Sequence, residues 1–216
     1  RGALVARFLE RNPIANLATD ARARRLFLDG TTCFLNAYPC RDEGRLLPTP
    51  ASWFTEKEQV DDPDAEILDQ AVGSIGSLLR PTQVKSNFCH VSGASASLYT
   101  PPRQVNVHIS LLNPNHRDEP NQVYRYDALA EGEVLAGVIL TGDANAAAEV
   151  KSLLSPDELR LGGAHTAGYG RVRIEAVEES SDWEEYVPGQ DPPDGSIVVT
   201  LLSDTVLRGR DGQLGQ

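Results

Sequence analysis

The segment Leu161-Gly162-Gly163-Ala164-His165-Thr166-Ala167-Gly168-Tyr169-Gly170-Arg171 sets four glycines within nine residues. Glycine permits positive φ and lets backbone N–H groups come close to a phosphate, so such a loop could hold an anion. Two nucleotide motifs can be tested here, and both fail. A Walker A loop running from Gly163 to Gly168 would continue with Lys and then Ser or Thr, but Tyr169 and Gly170 stand there. A dinucleotide fingerprint needs a strand before the loop and a helix after it, whereas the expected order is helix, loop, strand. What remains is a donor-rich loop ending in Tyr169, Arg171 and Arg173. An aromatic ring and guanidinium groups suit base stacking and backbone contact on single-stranded RNA. The same glycines would serve a tight helix-to-strand connection, and the residues alone leave both readings open.

Metal-independent RNA cleavage needs a general acid and base near the 2′-OH, usually His. His165 lies in the glycine loop, and His108 lies on the polar side of an alternating stretch. A lone loop His more often meets solvent or phosphate, so no catalytic residue is assigned; His165 is the one a nuclease reading would test. Cys33, Cys40, Cys89 and His90 lack the C-x₂₋₄-C pair of a zinc site, and neither a metal nor a cofactor is expected. Three cysteines cannot all pair internally and none lies in a C-x-x-C, which favours buried, reduced thiols in a cytosolic protein.

The formal charge of −11 on 216 residues would by itself argue against a nucleic-acid partner, because Lys and Arg drive phosphate binding. The acids are confined, however. Residues 56–69 carry seven acids and one Lys, and residues 175–194 carry eight acids and no base, so the rest of the chain is net positive. Residues 1–25 hold six Arg against Glu10 and Asp20, and residues 80–117 have Arg80, Lys85, Arg103 and Arg117 with no acid at all. The 17 Arg to 3 Lys fit bidentate phosphate contacts, and would equally follow from GC-rich codons. A polyanion is therefore allowed if it touches those regions. The 175–194 stretch reads as a solvated linker.

The elements that must position these residues are read from periodicity. Ala3 to Glu10 has apolar residues at helical spacing and should stop near Asn12-Pro13. Asp20 to Leu28 is a second basic-apolar stretch ending at the turn pair Asp29-Gly30. Thr31 to Tyr38 suits a short strand, Leu47-Pro48-Thr49-Pro50 should not be regular, and the acidic 56–69 stretch should be a solvated loop. Trp53 and Phe54 read as core or subunit-interface anchors. Residues 92–102, rich in Ser, Ala, Gly and Pro, suggest a flexible excursion. Asn106 to Leu111 alternates, which would put Val107, Ile109 and Leu111 on a buried sheet face. Residues 112–121 read as a polar turn, Glu133 to Thr141 as a second strand, and Asp143 as the N-cap of a helix through Ala147, Val150 and Leu154. Pro156 marks a boundary, and Arg171 to Ala176 is a third strand. With one strand just upstream of Arg1, the order becomes βαββαβ, the ferredoxin-like arrangement. The chain opens at Arg1 straight into a helix, so its natural start is expected further upstream. No apolar run reaches the ~18 residues of a membrane span, and no export signal opens the chain.

Gly162-Gly163 to Gly168-Tyr169-Gly170-Arg171-Val172, placed before a final strand, resembles the glycine-rich loop of the CRISPR-associated RAMP superfamily. Arg1-Gly2-Ala3-Leu4 is similar to the end of that family's "PGS-x-x-RGAL" segment leading into its first helix. His108 with Val123-Tyr124-Arg125-Tyr126-Asp127-Ala128-Leu129 and Gly132 resembles its "LY-x-x-E-x-L-x-x-G" run, with Asp127 in place of the usual Glu. The blocks Asn36-Ala37-Tyr38-Pro39 to Pro48-Thr49-Pro50 and Leu201-Leu202-Ser203-Asp204-Thr205-Val206-Leu207-Arg208 resemble the RAMP subunit of type III-D effector complexes, in the group that holds the 5′ handle of CRISPR RNA.

The resemblance spans nearly the whole chain and implies an α+β, ferredoxin-like RAMP domain over 1–178. It would have inserted loops and the glycine-rich loop before its last strand. An acidic linker at 179–195 and the start of a second RAMP unit at 196–216 would follow. It further implies a cytoplasmic, non-catalytic subunit that binds CRISPR RNA and packs against other effector subunits. The expected RNA contacts are Arg1, Lys85, Arg103, Gly162, Gly163, His165, Thr166, Gly168, Tyr169, Gly170, Arg171 and Arg173. That site depends on the loop's amides and cations being free of nearby carboxylates. Some RAMP proteins are endoribonucleases, but target-cleaving subunits use a carboxylate in an extended loop, and the matching excursion 82–105 has no Asp or Glu. A protein-interaction module without RNA affinity is the third reading.

Overall fold

The computed structural model describes residues 1–42, 44–110, 122–155, 158–181 and 183. Among the described residues it is a mixed α+β protein with three α-helices and small antiparallel sheets. The helices are α1 (Gly2–Arg11), α2 (Ala21–Phe27) and α3 (Ala144–Leu153). The strands before residue 60 are β1 (Thr32–Phe34), β2 (Tyr38–Arg41), β3 (Gly44–Arg45), β4 (Leu47–Pro48) and β5 (Trp53–Glu56). Next come β6 (Leu68–Asp69), β7 (Pro81–Gln83), β8 (Phe88–Ser92), β9 (Ser95–Tyr99) and β10 (Arg103–Ser110). The last five are β11 (Gln122–Leu129), β12 (Leu135–Ala136), β13 (Ile139–Thr141), β14 (Glu158–Arg160) and β15 (Arg171–Arg173). The chain divides into two compact units, one of Arg1–Asn36 with the described residues from Gly137 onward, the other of the described residues of Ala37–Ala136.

The first unit is built on three amphipathic helices. Leu4 and Phe8, one turn apart on α1, are buried. The helix stops where Asn12 turns extended and donates from its side chain to the Phe8 carbonyl at 2.9 Å. Asp20 starts α2 by accepting from the Ala23 N–H at 2.8 Å. Asp143 starts α3 by accepting from Asn145 at 2.8 Å and Ala146 at 3.2 Å. Ala23, Leu26, Phe27, Ala146, Val150 and Leu153 join Leu4 and Phe8 in one core, against which Phe34 and Ile139 pack. Those two are cross-strand partners in the antiparallel β1–β13 pair. Phe27 bridges the layers, 5.6 Å edge-on from Phe8 and 6.0 Å stacked on Phe34. Each buried Leu, Val or Phe of this core contributes about 1.5–3 kcal/mol.

The second unit is thinner. Its sheets run β6-β5-β7, β4-β8-β9 and β12-β2-β3, with β10–β11 as a separate ribbon. Tyr38, Pro39, Leu46, Cys89 and Pro101 are its buried apolar residues among those described. Polar clamps add to this small core. The Glu133 carboxylate accepts from Arg41 and from the Tyr99 hydroxyl, both at 2.9 Å, while the Arg41 guanidinium lies 4.2 Å from the Tyr99 ring centroid. Glu56 accepts the Leu79 and Arg80 N–H groups at 2.8 Å, closing the loop between β5 and β7.

Several expectations change. The Thr31–Tyr38 stretch forms two strands, β1 and β2, which belong to different units. Glu133–Thr141 likewise breaks at Gly137-Val138 into β12 and β13. Leu47-Pro48 is a strand after all, because it lies at the edge of its sheet, where a missing N–H is tolerated. Residues 92–102 contain a regular hairpin: Ser92 pairs with Ser95 around Gly93, which takes φ +60°. Val107 is 62% exposed, so alternation identified a shared face that no described element covers. Cys33 is exposed, since its neighbours Thr32 and Phe34 take the inner face of β1, and Cys40 is only half-buried. The acidic 56–69 stretch is mostly exposed turn, as expected, with β6 at its end. Trp53 and Phe54 are half-buried on β5, and Trp53 Nε1 donates to Asp69 at 3.3 Å. Leu111, the turn at 112–121, Pro156, the 179–195 linker apart from 179–181 and 183, and all of 196–216 lie outside the described residues. Among the described residues, no helix is long and apolar enough to cross a membrane.

Candidate nucleic-acid interface

The glycine-rich segment is the loop of a hairpin, entered from β14 rather than directly from α3. Glu158 pairs with Arg173, Leu159 with Val172 and Arg160 with Arg171, and Leu161 N–H donates to the Gly170 carbonyl at 2.8 Å to close the loop. Strand alternation then decides the chemistry. Leu159 packs on the helical core and Val172 is half-buried beside it, so Glu158, Arg160, Arg171 and Arg173 are left on the exposed side. The dinucleotide reading stays excluded, because a strand follows the loop.

The loop backbone requires its glycines at specific points. Gly162, Gly168 and Gly170 take φ of +73°, +88° and +75°, and Ala164 joins them at +54°. A Cβ on Gly170 would drive into the Leu161 carbonyl oxygen, whereas one on Gly163 meets nothing within 4 Å. His165–Ala167 forms one 3₁₀ turn, held by Ala167 N–H on the Ala164 carbonyl at 2.9 Å. Arg160 Nη1 donates to the His165 carbonyl at 3.1 Å. From Gly162 to Thr166 no backbone N–H finds an acceptor among the described residues. Gly162, Gly163, His165, Thr166 and Gly168 are exposed, and Tyr169 and Gly170 are half-buried. Unbonded amides with positive φ values interspersed are the backbone pattern from which anion-binding nests are built.

The expectation that the loop's cations are free of carboxylates is wrong. Arg171 is paired with Glu158 at 2.8 Å, and Arg173 with Glu175 at 3.7 Å. The Arg171 hydrogen bond and charge hold the Glu158 carboxyl below its ordinary pKa, and Glu158 raises that of Arg171 in return. The cross-strand register puts the two within reach, which composition could not reveal. Both side chains are mostly exposed, so a phosphate can take the place of the carboxylate.

Other expected contacts are committed elsewhere. Arg103 pairs with Asp127 at 2.8 Å across β10–β11, and Arg1 Nη1 donates to the Phe27 carbonyl at 3.4 Å. The basic segment 1–25 is largely internal wiring. Arg7 and Arg11 donate to the Leu153 and Ser152 carbonyls at 2.8 Å, satisfying the C-terminal end of α3. Arg22 pairs with Glu149, and Arg25 with Asp143 at 3.0 Å. Lys85 is exposed and makes no ion pair among the described residues. Arg160 was missed by sequence reasoning. The signal was present in the mirrored alternation Glu158-Leu159-Arg160 and Arg171-Val172-Arg173 around the glycines, which marks a hairpin.

No protein-family model and no curated protein matches the chain.

Proposed function

We propose that this chain is a non-catalytic CRISPR RNA-binding subunit of a cytoplasmic type III CRISPR–Cas interference complex, similar to RAMP proteins. It holds the guide RNA backbone through the Gly162–Arg173 loop and works beside other effector subunits. The observation that carries this reading is the exposed run of unbonded amides from Gly162 to Thr166, with Arg160, Arg171 and Arg173 on the outward side of the hairpin below it. Amides and guanidinium groups together suit sugar-phosphate, whose contacts position without reading sequence. The element order of the first unit also supports the reading. Its elements run α1, α2, β1, β13, α3, β14, β15. That series contains the ferredoxin-like order from its first helix onward, with α2 and β14 added and residues 37–136 inserted between β1 and β13. The β1–β13 and β14–β15 pairs are separate two-stranded sheets.

The test is a titration of labelled CRISPR repeat RNA across salt concentrations, using wild type and the Arg171→Ala, Arg173→Ala double variant. Binding should weaken with salt, and the salt slope of the variant should fall by about two, one for each lost phosphate contact. RNA fragments that disappear on His165→Ala would instead establish an endoribonuclease. Absence of binding at every salt concentration, by a chain that circular dichroism shows to be folded, would leave the protein-interaction module.

A further inference from the structure

We propose that the β10–β11 ribbon carries a second RNA contact, a base-stacking platform formed by His108, Tyr124 and Tyr126. The register pairs His108 with Tyr124 and Asn106 with Tyr126, so the three rings share one face of the ribbon. His108 and Tyr124 lie nearly parallel, 11° apart with centroids at 5.7 Å, and Tyr126 meets them edge-on at 5.0 and 5.4 Å. Tyr124 remains 44% exposed. The exposed part of this cluster is the Tyr124 ring, while His108 and Tyr126 are half-buried beside it.

The chemistry of this face selects bases. Gln104, Asn106, His108, Tyr124, Tyr126 and Ala128 include no carboxylate, and neither does the whole of residues 80–117. Amide side chains beside rings offer donors and acceptors to base edges, and every base has a π-face that can stack. The opposite face differs. Arg125 is cross-strand from Val107 and so lies on that other face, with the Arg103–Asp127 ion pair. Val105, Val107 and Val123 are 48%, 62% and 65% exposed there, aliphatic groups on which a base gains little. The inference rests on the RNA reading but not on the glycine loop, because the platform recognises bases and the loop recognises phosphates.

The test measures affinity of the full chain for a fluorescein-labelled oligouridine of about ten nucleotides and for an abasic oligonucleotide of the same length. Wild type should prefer the oligouridine. Tyr124→Ala with Tyr126→Ala should weaken oligouridine binding roughly tenfold or more, leave the salt slope unchanged and abolish the preference over the abasic probe. Tyr124→Phe with Tyr126→Phe keeps the rings and should bind like wild type, which separates lost stacking from a disturbed hairpin. Equal affinity of wild type for both probes, or no effect of the Ala pair, overturns the platform. So does an Ala pair that alters only the sedimentation of the protein, since the face would then be a protein contact. Loss of binding in Arg171→Ala, Arg173→Ala with an inert Tyr pair would uphold the loop and sink the platform. The reverse pattern would do the opposite.

Discussion

The β14–β15 and β10–β11 hairpins are the same object in backbone terms: two antiparallel strands with an exposed outer side. They differ in what stands behind them. One face of β14–β15 is anchored, because Leu159 packs on the helical core, and its other face is free to be entirely charged. The β10–β11 ribbon has exposed side chains on both faces. Val105, Val107 and Val123 stand beside Arg103, Arg125 and Asp127 on one, and Tyr124 beside half-buried His108 and Tyr126 on the other. Since side chains alternate with a period of two, the partner of a ribbon follows from which parity is buried. An anchored ribbon can offer cations and amides to phosphates, with strong salt dependence. An unanchored one must expose apolar surface, and aromatic rings are the form of apolar surface that a single-stranded nucleic acid can use.

The largest expected effect tests that difference in anchoring. Phe8, 1% exposed at the centre of the first core, should lose about 3–5 kcal/mol of unfolding free energy on substitution by Ala in a urea titration. Val107→Ala, at a site 62% exposed, should change it by less than about 0.5 kcal/mol. A Val107→Ala cost near that of Phe8→Ala would mean the valine face is covered, and the contrast between the ribbons would collapse.

The second prediction concerns the loop itself. Gly170→Ala meets both a φ of +75° and the Leu161 carbonyl, so it should cost about 1–3 kcal/mol and break the Leu161–Gly170 closure. Gly163→Ala has neither obstacle and should melt within error of wild type. Gly162→Ala and Gly168→Ala, with positive φ but open space, should fall between them. Thermal melting monitored by circular dichroism orders the four. Equal values would show that the glycines are interchangeable spacers.

How far these features were legible follows from what each depends on. Helices α1 and α3 could be read because their signals are local: apolar spacing around Leu4 and Phe8, and an Asp143 cap. The glycine loop could be found because positive φ restricts residue type. The hairpin beneath it, its Glu158–Arg171 pair and the capping of α3 by Arg7 and Arg11 depend on register and tertiary packing between distant residues, which no local pattern encodes. The same limit applied to Val107, since alternation shows which residues share a face but says nothing of what covers it. Tyr124 and Tyr126 were read only as part of a family motif, and their meeting with His108 needed the register of β10–β11.

The smallest effect discriminates by sign. If the outward cations of β14–β15 meet phosphate, Glu158 competes with the RNA for Arg171. Glu158→Gln should then tighten RNA binding a few-fold, roughly the reverse of Arg171→Ala, whereas a merely structural ion pair would make both substitutions act in the same direction. Acidity supplies a second readout. The pairing holds Glu158 below its ordinary pKa, so the carboxylate contributes above the usual glutamate range and is lost only as pH falls through its lowered value. Near neutral pH the ratio of wild-type to Glu158→Gln affinity should therefore stay flat, and it should converge on unity only under acid, below the ordinary glutamate range. A ratio that drifts across neutrality would show that another titrating group, and not this carboxylate, governs access to Arg171.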